Sequence, residues 1–478
     1  MDYQKIGLKA GLEIHQQLDT GKLFCNCPSY LRKDTPDFTI KRKLHKVAGE
    51  TGEIDTAVEY ESSLNKEFTY QGYNSTTCLI EIDEEPPHQI NQNALNEAIK
   101  IALLLNCEIH QNSQIMRKTV IDGSNTSGFQ RTVLIAHNGK LETSFGEVPI
   151  ESIALEEDAA RIISKDKKTS VYRLDRLGIP LVEITTSPVL KTPEQIKESA
   201  LKIGEILRAC KVKRGIGTIR QDINVSIKGH DKVEIKGFQE PGMMVKTAEL
   251  EIQRQEEEIK KGKKEGEVRN ALPDGKTEFL RPLPGGARMY PETDLPLLKI
   301  TREQINSIKK ILPKLKHEIK LELKKKGLSE ELINLILDNN LEEFEVLSQV
   351  YSKNLNLTAK MITLWRAEIA KRQNKSLEQI KSILTESVLE QILEALNSKE
   401  AEESDIRNIM EKIASGKKLK EALSSEKISH NELEEEISKI VREKPGLSAN
   451  AYMGLVMQKH KGKIDAKKAM EIVNKLLK

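Results

Sequence analysis

Polar side chains recur at every second position between Ile219 and Ile227. The polar members of this segment are Arg220, Asp222, Asn224 and Ser226. Because successive side chains of a β-strand point to opposite faces, these four groups project from the same side of a strand. A carboxylate, an amide and a guanidinium on one face could bind a divalent cation or a phosphate group.

Further acids, a histidine and a lysine occur in similar segments elsewhere in the chain. They are Glu13, His15, the run Glu156-Glu157-Asp158, Glu183 and Lys236. If these groups converge, their carboxylate oxygens and the imidazole are suitable ligands for a Mg²⁺ ion that in turn binds nucleotide phosphates. The cationic side chains would then neutralise phosphate charge. Taken singly, each segment is also typical of an amphipathic strand whose polar face is in water.

The elements that position these residues are mainly strands before Pro296. There, Gly, Pro and other turn-forming residues separate short alternating segments. Helical periodicity is present at 95–103, after a Thr192 N-cap, and at about 246–261. Helices beside hairpin-connected strands favour an α+β fold with a mostly antiparallel sheet over a doubly wound parallel sheet.

The composition changes beyond Pro296. Residues 297–478 contain few Gly or Pro and many Lys, Glu, Leu and Ile, which predicts successive helices. A polar cluster at 397–404 indicates a further break. Because 478 residues are too many for one hydrophobic core, we predict three domains: a strand-rich domain over 1–297, a helical domain over 298–404 and a helical tail over 405–478.

The composition favours a soluble protein that contacts nucleic acid only locally. Hydrophobic residues make up 38% and charged residues 31%, and no apolar run approaches the roughly 20 residues of a membrane span. The first residues alternate like a strand rather than a signal peptide, so we expect a cytoplasmic location and no membrane partner. The net charge is only +3, so RNA binding would depend on patches such as Lys324–Lys326 and Lys459–Lys463.

The five cysteines do not indicate a disulfide framework in a chain of this length. Cys25 and Cys27 form a close pair and Cys78 is a candidate third ligand, but a structural zinc site prefers four ligands. We therefore favour reduced structural thiols and expect no structural zinc. The sequence has no P-loop, protein-kinase signature or G-x-S-x-G motif, so standard motifs indicate neither nucleotide binding nor a glutaminase centre.

Several motifs resemble the GatB/GatE family, which comprises tRNA-binding subunits of tRNA-dependent amidotransferases. In the first 240 residues they occur in the order of the family: GLEIH at 11–15, LEEDA at 155–159, RLGIPLVEI at 176–184 and RQDINVS at 220–226. Near the end of the chain, MGLVM at 453–457 and KHKGK at 459–463 resemble the tail domain that both GatB and GatE have. The resemblance thus covers nearly the whole chain.

Other stretches resemble the archaeal GatE form more than GatB. They are HQQLDT at 15–20, DEEPPH at 83–88, IDGSNTSGFQR at 121–131 and RPLPGGARMYPETD at 281–294. GatE carries an inserted domain, similar to part of bacterial aspartyl-tRNA synthetase, between a charged helix and the proline-rich motif. Here only about 25 residues, Glu257 to Arg281, join the two, which is too few for that domain and leaves open how the chain discriminates its tRNA.

The resemblance implies a ligase that forms a carbon–nitrogen bond, with a cradle-shaped catalytic domain, a helical domain and a tRNA-binding tail. The reaction would be ATP-dependent phosphorylation of the glutamate side-chain carboxylate on mischarged Glu-tRNA(Gln), followed by amidation to Gln-tRNA(Gln). ATP and Mg²⁺ would be the cofactors. Ammonia would come from a separate asparaginase-like glutaminase subunit, in a hetero-oligomer such as a dimer of heterodimers.

The resemblance also implies roles for the polar residues described above. The implied catalytic residues and Mg²⁺ ligands are Glu13, His15, Glu157 and Glu183, with Glu156 as an alternative ligand. The residues implied to bind ATP or to orient the acceptor end of tRNA are Arg220, Asp222, Asn224 and Lys236. Catalysis would then rest on positioning and on charge neutralisation during phosphoryl transfer.

Two other functions stay open from the sequence. One is that of GatB in a three-subunit Asp/Glu-tRNA amidotransferase, which the partner subunits found in the same cell would decide. The other is a non-catalytic tRNA-binding scaffold. ATPase activity that needs both Mg²⁺ and Glu-tRNA(Gln) would exclude the scaffold.

Overall fold

The computed structural model describes residues 2–49, 52–238, 240–285, 288–423, 430–459 and 466–477. Contacts divide the chain into two compact units, Met1–Leu315 and Lys316–Lys478. The three-domain division drawn from the sequence stays a prediction. In the described part of the chain, no helix is both long and apolar enough to cross a membrane.

Strands dominate the first unit. They are β1 (Lys9–Gln17), β2 (Phe38–Arg42), β3 (Glu67–Gly72), β4 (Glu108–Ile109), β5 (Asn112–Ser113), β6 (Ile115–Thr119), β7 (Phe129–Thr143), β8 (Gly146–Glu157), β9 (Arg161–Lys165), β10 (Thr169–Arg173), β11 (Pro180–Thr186), β12 (Ile219–Ser226), β13 (Val233–Phe238), β14 (Glu267–Ala271), β15 (Thr277–Pro282), β16 (Met289–Pro291) and β17 (Leu298–Lys299).

Eleven of these strands form one sheet, in the order β15-β14-β13-β12-β1-β11-β8-β7-β6-β16, with β4 paired to β7. Its neighbouring strands are antiparallel except β13 and β14. A four-stranded sheet, β2-β3-β10-β9, and the pair β5-β17 complete the unit. The predicted α+β class with a mostly antiparallel sheet is therefore confirmed.

The helices of the first unit are α1 (Tyr3–Ile6), α2 (Thr56–Ser63), α3 (Gln92–Leu104), α4 (Pro193–Arg208), α5 (Pro241–Lys260) and α6 (Arg302–Lys309). Helix α4 begins after Thr192, whose hydroxyl accepts a hydrogen bond from the backbone N of Gln195, as the sequence predicts. Helix α5 begins five residues before the predicted position 246. Its first residue is Pro241, which fits the first turn of a helix because the N–H that proline lacks would have no acceptor within the helix there.

One face of the main sheet packs against α3, α4 and α5. Alternate residues of the central strands, including Leu12, Ile14, Val182, Ile184 and Ile223, are fully buried in this layer. Burial of each aliphatic side chain contributes about 1.5–3 kcal/mol. A slip of one residue would turn this apolar set outward, so the layer fixes the strand register and sends the intervening polar residues to the opposite face.

The second unit is helical. Its helices are α7 (Lys316–Lys325), α8 (Glu330–Asn339), α9 (Leu341–Val350), α10 (Leu355–Lys360), α11 (Arg366–Arg372), α12 (Leu377–Ile383), α13 (Glu386–Asn397), α14 (Ile406–Ala414), α15 (Leu419–Leu423), α16 (His430–Glu443), α17 (Ala449–Lys459) and α18 (Ala466–Leu476). Buried apolar residues form one cluster from Leu323 to Ala422 and another from Leu433 to Val473. The basic run Lys324–Lys326 is exposed. Of the other predicted basic run, residues 460–463 lie outside the described residues.

Candidate active site

Strand pairing brings most of the predicted site residues to one face of the main sheet. On β1, His15 lies opposite Glu183 of β11 and opposite Arg220 of β12, and Glu13 lies opposite Asp222 of β12. Glu183 in turn lies opposite Ala154 of β8. Since side chains two positions apart share a face, Glu156 of β8 also lies on this side.

These side chains form two overlapping groups of possible metal ligands, Glu13–His15–Asp222 and His15–Glu156–Glu183. Within each group the ligand atoms lie within 4.8 Å of one another. The Nε2 atom of His15 is common to both: it lies 3.2 Å from Oε2 of Glu183 and 3.4 Å from Oε1 of Glu13. We call these five residues the acidic cluster.

The donor set of the acidic cluster fits a hard divalent cation. Four carboxylates and one imidazole are ligands that Mg²⁺ or Mn²⁺ accepts, and they come from strands held rigidly by the sheet. Asn224 follows Asp222 on the same face of β12, and its buried Oδ1 has no hydrogen-bond partner in the described part of the chain. An amide oxygen without a partner is suited to a ligand or a bound water.

Two lysines border the acidic cluster. Lys118 of β6 places its Nζ 2.5 Å from Oε1 of Glu156 and 3.6 Å from Oε2 of Glu183. Lys236 of β13 places its Nζ 2.9 Å from Oδ2 of Asp222 and also pairs with Glu234. The sequence indicated Lys236 but not Lys118, whose segment has no clear alternation. Only the pairing of β6 with β7, and of β7 with β8, places Lys118 next to the cluster.

Burial and neighbouring charges shift the pKa values within the cluster in different directions. Burial raises the pKa of Glu13 to about 7, and the charge of Glu183 adds to the rise. Burial also opposes ionisation of Glu183, but the charge of Lys118 and the hydrogen bond from His15 outweigh it and hold the pKa of Glu183 below its ordinary value. Burial likewise disfavours the His15 imidazolium, yet the hydrogen bond and charge of Glu183 raise the His15 pKa. Near neutral pH the cluster therefore holds a fraction of a proton on Glu13, and the raised pKa of His15 favours its protonated form.

Arg220, predicted to bind the cofactor, is oriented by a buried acid for which the sequence analysis predicted no such role. Its Nη2 donates a hydrogen bond to Oδ1 of Asp158 at 2.8 Å, and Asp158 is completely buried. Asp158 also accepts a hydrogen bond of 2.6 Å from Nε2 of Gln17 and lies 3.8 Å from Arg176. Although burial opposes its ionisation, the charges of Arg220 and Arg176 hold the pKa of Asp158 below its ordinary value. About a third of the Arg220 side chain stays exposed, so it can still contact a phosphate group.

The structure does not bring Glu157 into the acidic cluster. Its Oε2 accepts a hydrogen bond from the backbone N of Arg131 and lies 3.4 Å from Nη1 of the same residue. Arg131 also pairs with the buried Glu292, at 2.8 Å. Glu156 and Glu157 are neighbours on β8, so their side chains point to opposite faces and only one of them can join the cluster. We therefore omit Glu157 from the ligand set proposed below.

Three cysteines converge at a separate place in the first unit. The Sγ atoms of Cys25, Cys27 and Cys78 lie within 4.8 Å of one another and of a carboxylate oxygen of Glu81. Glu81 also pairs with the buried ammonium of Lys22. The sequence indicated no fourth ligand for zinc here, and Glu81 supplies a candidate. The expectation of no structural zinc stays a prediction that metal analysis of the purified protein would decide.

Comparison with known proteins assigns the chain to a family. A model of the GatB/GatE catalytic domain matches residues 8–306. A protein of Methanocaldococcus jannaschii, named as the GatE subunit of glutamyl-tRNA(Gln) amidotransferase, is 37% identical across all of this chain and 99% of its own length. Proteins of the same name from Methanococcus maripaludis and Pyrobaculum islandicum are 35% and 34% identical across all of this chain. The chain belongs to the GatB/GatE family.

The chain is shorter than these relatives. The alignment with the Methanocaldococcus protein extends over 630 positions, whereas the chain has 478 residues, so at least 152 positions have no counterpart here. The segment in which the sequence analysis predicts that the inserted domain is absent runs from Glu257 to Arg281. There, α5 ends at Lys260 and the strands β14 and β15 form a hairpin at the edge of the main sheet. That the chain lacks the synthetase-like domain at this position stays a prediction.

Proposed function

We propose that this chain is the carboxylate-activating subunit of a Glu-tRNA(Gln) amidotransferase. The γ-phosphoryl group of ATP would be transferred to the side-chain carboxylate of glutamate on the tRNA, giving an acyl phosphate and ADP. Ammonia would then attack the acyl carbon, and phosphate would leave with one of the former carboxylate oxygens. The observation that carries the proposal is the convergence of four carboxylates, one imidazole, two lysines and one arginine on a single sheet face. The names of full-length relatives support it.

The proposed roles of these residues follow from their charges and positions. The acidic cluster would hold Mg²⁺, which when bound would screen the negative charge of the triphosphate. Arg220, fixed by Asp158, presents a planar guanidinium that can bind two phosphate oxygens at once. Asn224 would accept from or donate to the nucleotide or the acceptor end of the tRNA. None of these groups forms a covalent bond in the proposal, because positioning and charge neutralisation supply the rate enhancement.

The proposal includes a partner that supplies ammonia. The relatives are named as subunits, and the present sequence lacks the G-x-S-x-G motif of a serine-type hydrolase. We propose an asparaginase-like glutaminase as the partner in a hetero-oligomer, as the family resemblance implies. The same resemblance implies that the tail would contact tRNA, and the shorter chain would have to select tRNA(Gln) without the inserted domain.

The test is formation of Gln-tRNA(Gln) from Glu-tRNA(Gln), ATP, Mg²⁺ and ammonium chloride by the full chain. Ammonium chloride replaces the partner as the ammonia source. We expect product from the wild type and about a hundredfold to a thousandfold less from Glu183→Gln, since a proposed metal ligand that contacts His15 and Lys118 is lost. Glu147→Gln is the matched control: it lies on β8 but is 60% exposed, and it should act like the wild type. A folded wild type that binds Glu-tRNA(Gln) but gives no product, alone or with the glutaminase partner, would overturn the proposal.

A further inference from the structure

The ammonium of Lys118 contacts two of the three candidate ligands in one half of the acidic cluster. Its Nζ lies 2.5 Å from Oε1 of Glu156 and 3.6 Å from Oε2 of Glu183. The same Oε2 of Glu183 accepts the contact from Nε2 of His15. Glu156, Glu183 and His15 are together one of the two candidate ligand groups. The ammonium and a divalent cation would therefore compete for the same carboxylate oxygens.

The surroundings leave the displaced ammonium few alternatives. The Lys118 side chain is only 18% exposed, and Glu156 is 2% exposed. A largely buried ammonium needs an anion in contact with it, since its desolvation is otherwise uncompensated. If a metal takes Glu156 and Glu183, the new anion must arrive with the metal. The flexible four-carbon stem of lysine allows the ammonium to move by several ångströms to meet it.

We propose that Lys118 is a phosphate-binding residue that Glu156 and Glu183 hold in reserve until metal and nucleotide arrive together. Metal alone must displace the ammonium from both carboxylates, so Lys118 opposes its binding. Metal bound to a triphosphate releases the ammonium to a phosphate oxygen, so Lys118 then favours binding. This inference rests on the proposed function, because it assumes a metal–nucleotide complex at the acidic cluster.

The test measures Mn²⁺ binding to the full chain with and without a non-hydrolysable ATP analogue. The electron paramagnetic resonance signal of free Mn²⁺ reports how much of the ion is unbound. For Lys118→Met we expect tighter Mn²⁺ binding without nucleotide, by at least about threefold, because a positive charge a few ångströms away is removed. With the analogue present we expect weaker binding of its Mn²⁺ complex, again by at least about threefold. Lys118→Arg keeps the charge and should not tighten Mn²⁺ binding.

The matched control is Lys140→Met, which removes a lysine of β7 that is 61% exposed and pairs with an exposed glutamate. It should change neither affinity. Oε2 of Glu156 accepts a hydrogen bond of 3.0 Å from Nε2 of Gln130, which does not involve Lys118 and should limit the effect of the Lys118 variants on folding. If Lys118→Met nevertheless does not fold, Lys118→Gln carries the same two expectations.

The outcomes separate this inference from the proposed function. Opposite changes with and without nucleotide support the reserve role of Lys118. Unchanged Mn²⁺ affinities of the Lys118 variants, or changes of the same sign with and without nucleotide, overturn it. The proposed metal site would still be supported in that case if the wild type binds Mn²⁺ and Glu183→Gln does not. If neither the wild type nor the lysine variants bind Mn²⁺ with or without nucleotide, the proposed metal site fails and the inference fails with it.

Discussion

Replacement of Asp158 by asparagine should destabilise the first unit by about 3 kcal/mol. The two carboxylate oxygens of Asp158 accept hydrogen bonds from Gln17, Arg220 and the backbone N of Ala159. Asparagine has the same shape, but its amide nitrogen would face other donors and the arginines would lose their counter-charge. Loss of one partner of a buried ion pair costs roughly 3–5 kcal/mol. The lower end applies because Arg220 and Arg176 are 33% and 24% exposed, so water screens part of their charge.

The loss of stability can be measured for the first unit with the second unit of the same chain as an internal control. Its single tryptophan, Trp365, lies in the second unit, so tryptophan fluorescence during denaturant unfolding reports that unit. Native-state hydrogen exchange of β1 and β12 reports the first unit. Asp158→Asn should lower the protection of these strands and leave the Trp365 transition in place. Asp274→Asn, in an exposed turn of the first unit, should change neither signal.

The effect of Asp158→Asn should depend on pH with a defined sign. The pKa of Asp158 is below its ordinary value in the folded protein, so its ionised form contributes stability that is fully present above the ordinary value of about 4. That contribution is lost as the pH falls through the folded pKa. The difference in the free energy of unfolding between wild type and Asp158→Asn should therefore be largest near pH 7 and should decrease below about pH 4. A difference in the free energy of unfolding under about 1 kcal/mol at pH 7, or one that does not decrease at acidic pH, would refute the role of the ion pair.

Three further predictions concern ligand binding. Glu156→Gln should weaken Mn²⁺ binding by at least about tenfold whereas Glu157→Gln should not, because only one of these neighbours faces the acidic cluster; equal losses in a titration would contradict the assigned faces. Mn²⁺ binding should release protons near pH 7, because His15 has a raised pKa and the pKa of Glu13 is about 7. Calorimetry in buffers of different ionisation enthalpy measures the number of protons released. A binding enthalpy that is the same in every buffer would contradict this prediction. Reversing the charges of Lys324–Lys326 should weaken tRNA binding and flatten its salt dependence in filter-binding assays, and an unchanged salt slope would exclude phosphate contacts by these lysines.

The strands that carry the acidic cluster could be predicted because alternation along a strand is a local property. Ile219 to Ile227 forms β12 almost as the sequence indicates, and the apolar set packs on the helices. The pairing of strands could not be read in the same way. Glu183 contacts His15 although 168 positions separate them, and periodicity contains no information on which strands become neighbours. The resemblance to a family, and not the alternation, joined these motifs into one site.

Two parts of the site were missed, and a choice between two neighbouring glutamates was left open, for separate physical reasons. Lys118 lies on a short strand with mixed polarity, so its face is set only by pairing with β7. Asp158 follows the last residue of β8, where alternation no longer predicts direction, and its role depends on two arginines from distant segments. The alternation rule already implied that Glu156 and Glu157 diverge, but only the register shows which one faces the cluster.

The proposed function depends above all on phosphorylation of the glutamate side chain of Glu-tRNA(Gln) before amidation. This step can be followed with Glu-tRNA(Gln) labelled with oxygen-18 in the side-chain carboxylate, incubated with the full chain, ATP, Mg²⁺ and ammonium chloride. Mass spectrometry of the inorganic phosphate then traces the label. Reaction through an acyl phosphate should leave one labelled oxygen in each phosphate released together with Gln-tRNA(Gln). Unlabelled phosphate released alongside Gln-tRNA(Gln) would contradict the proposal, because the carboxylate oxygen would not have been the phosphoryl acceptor.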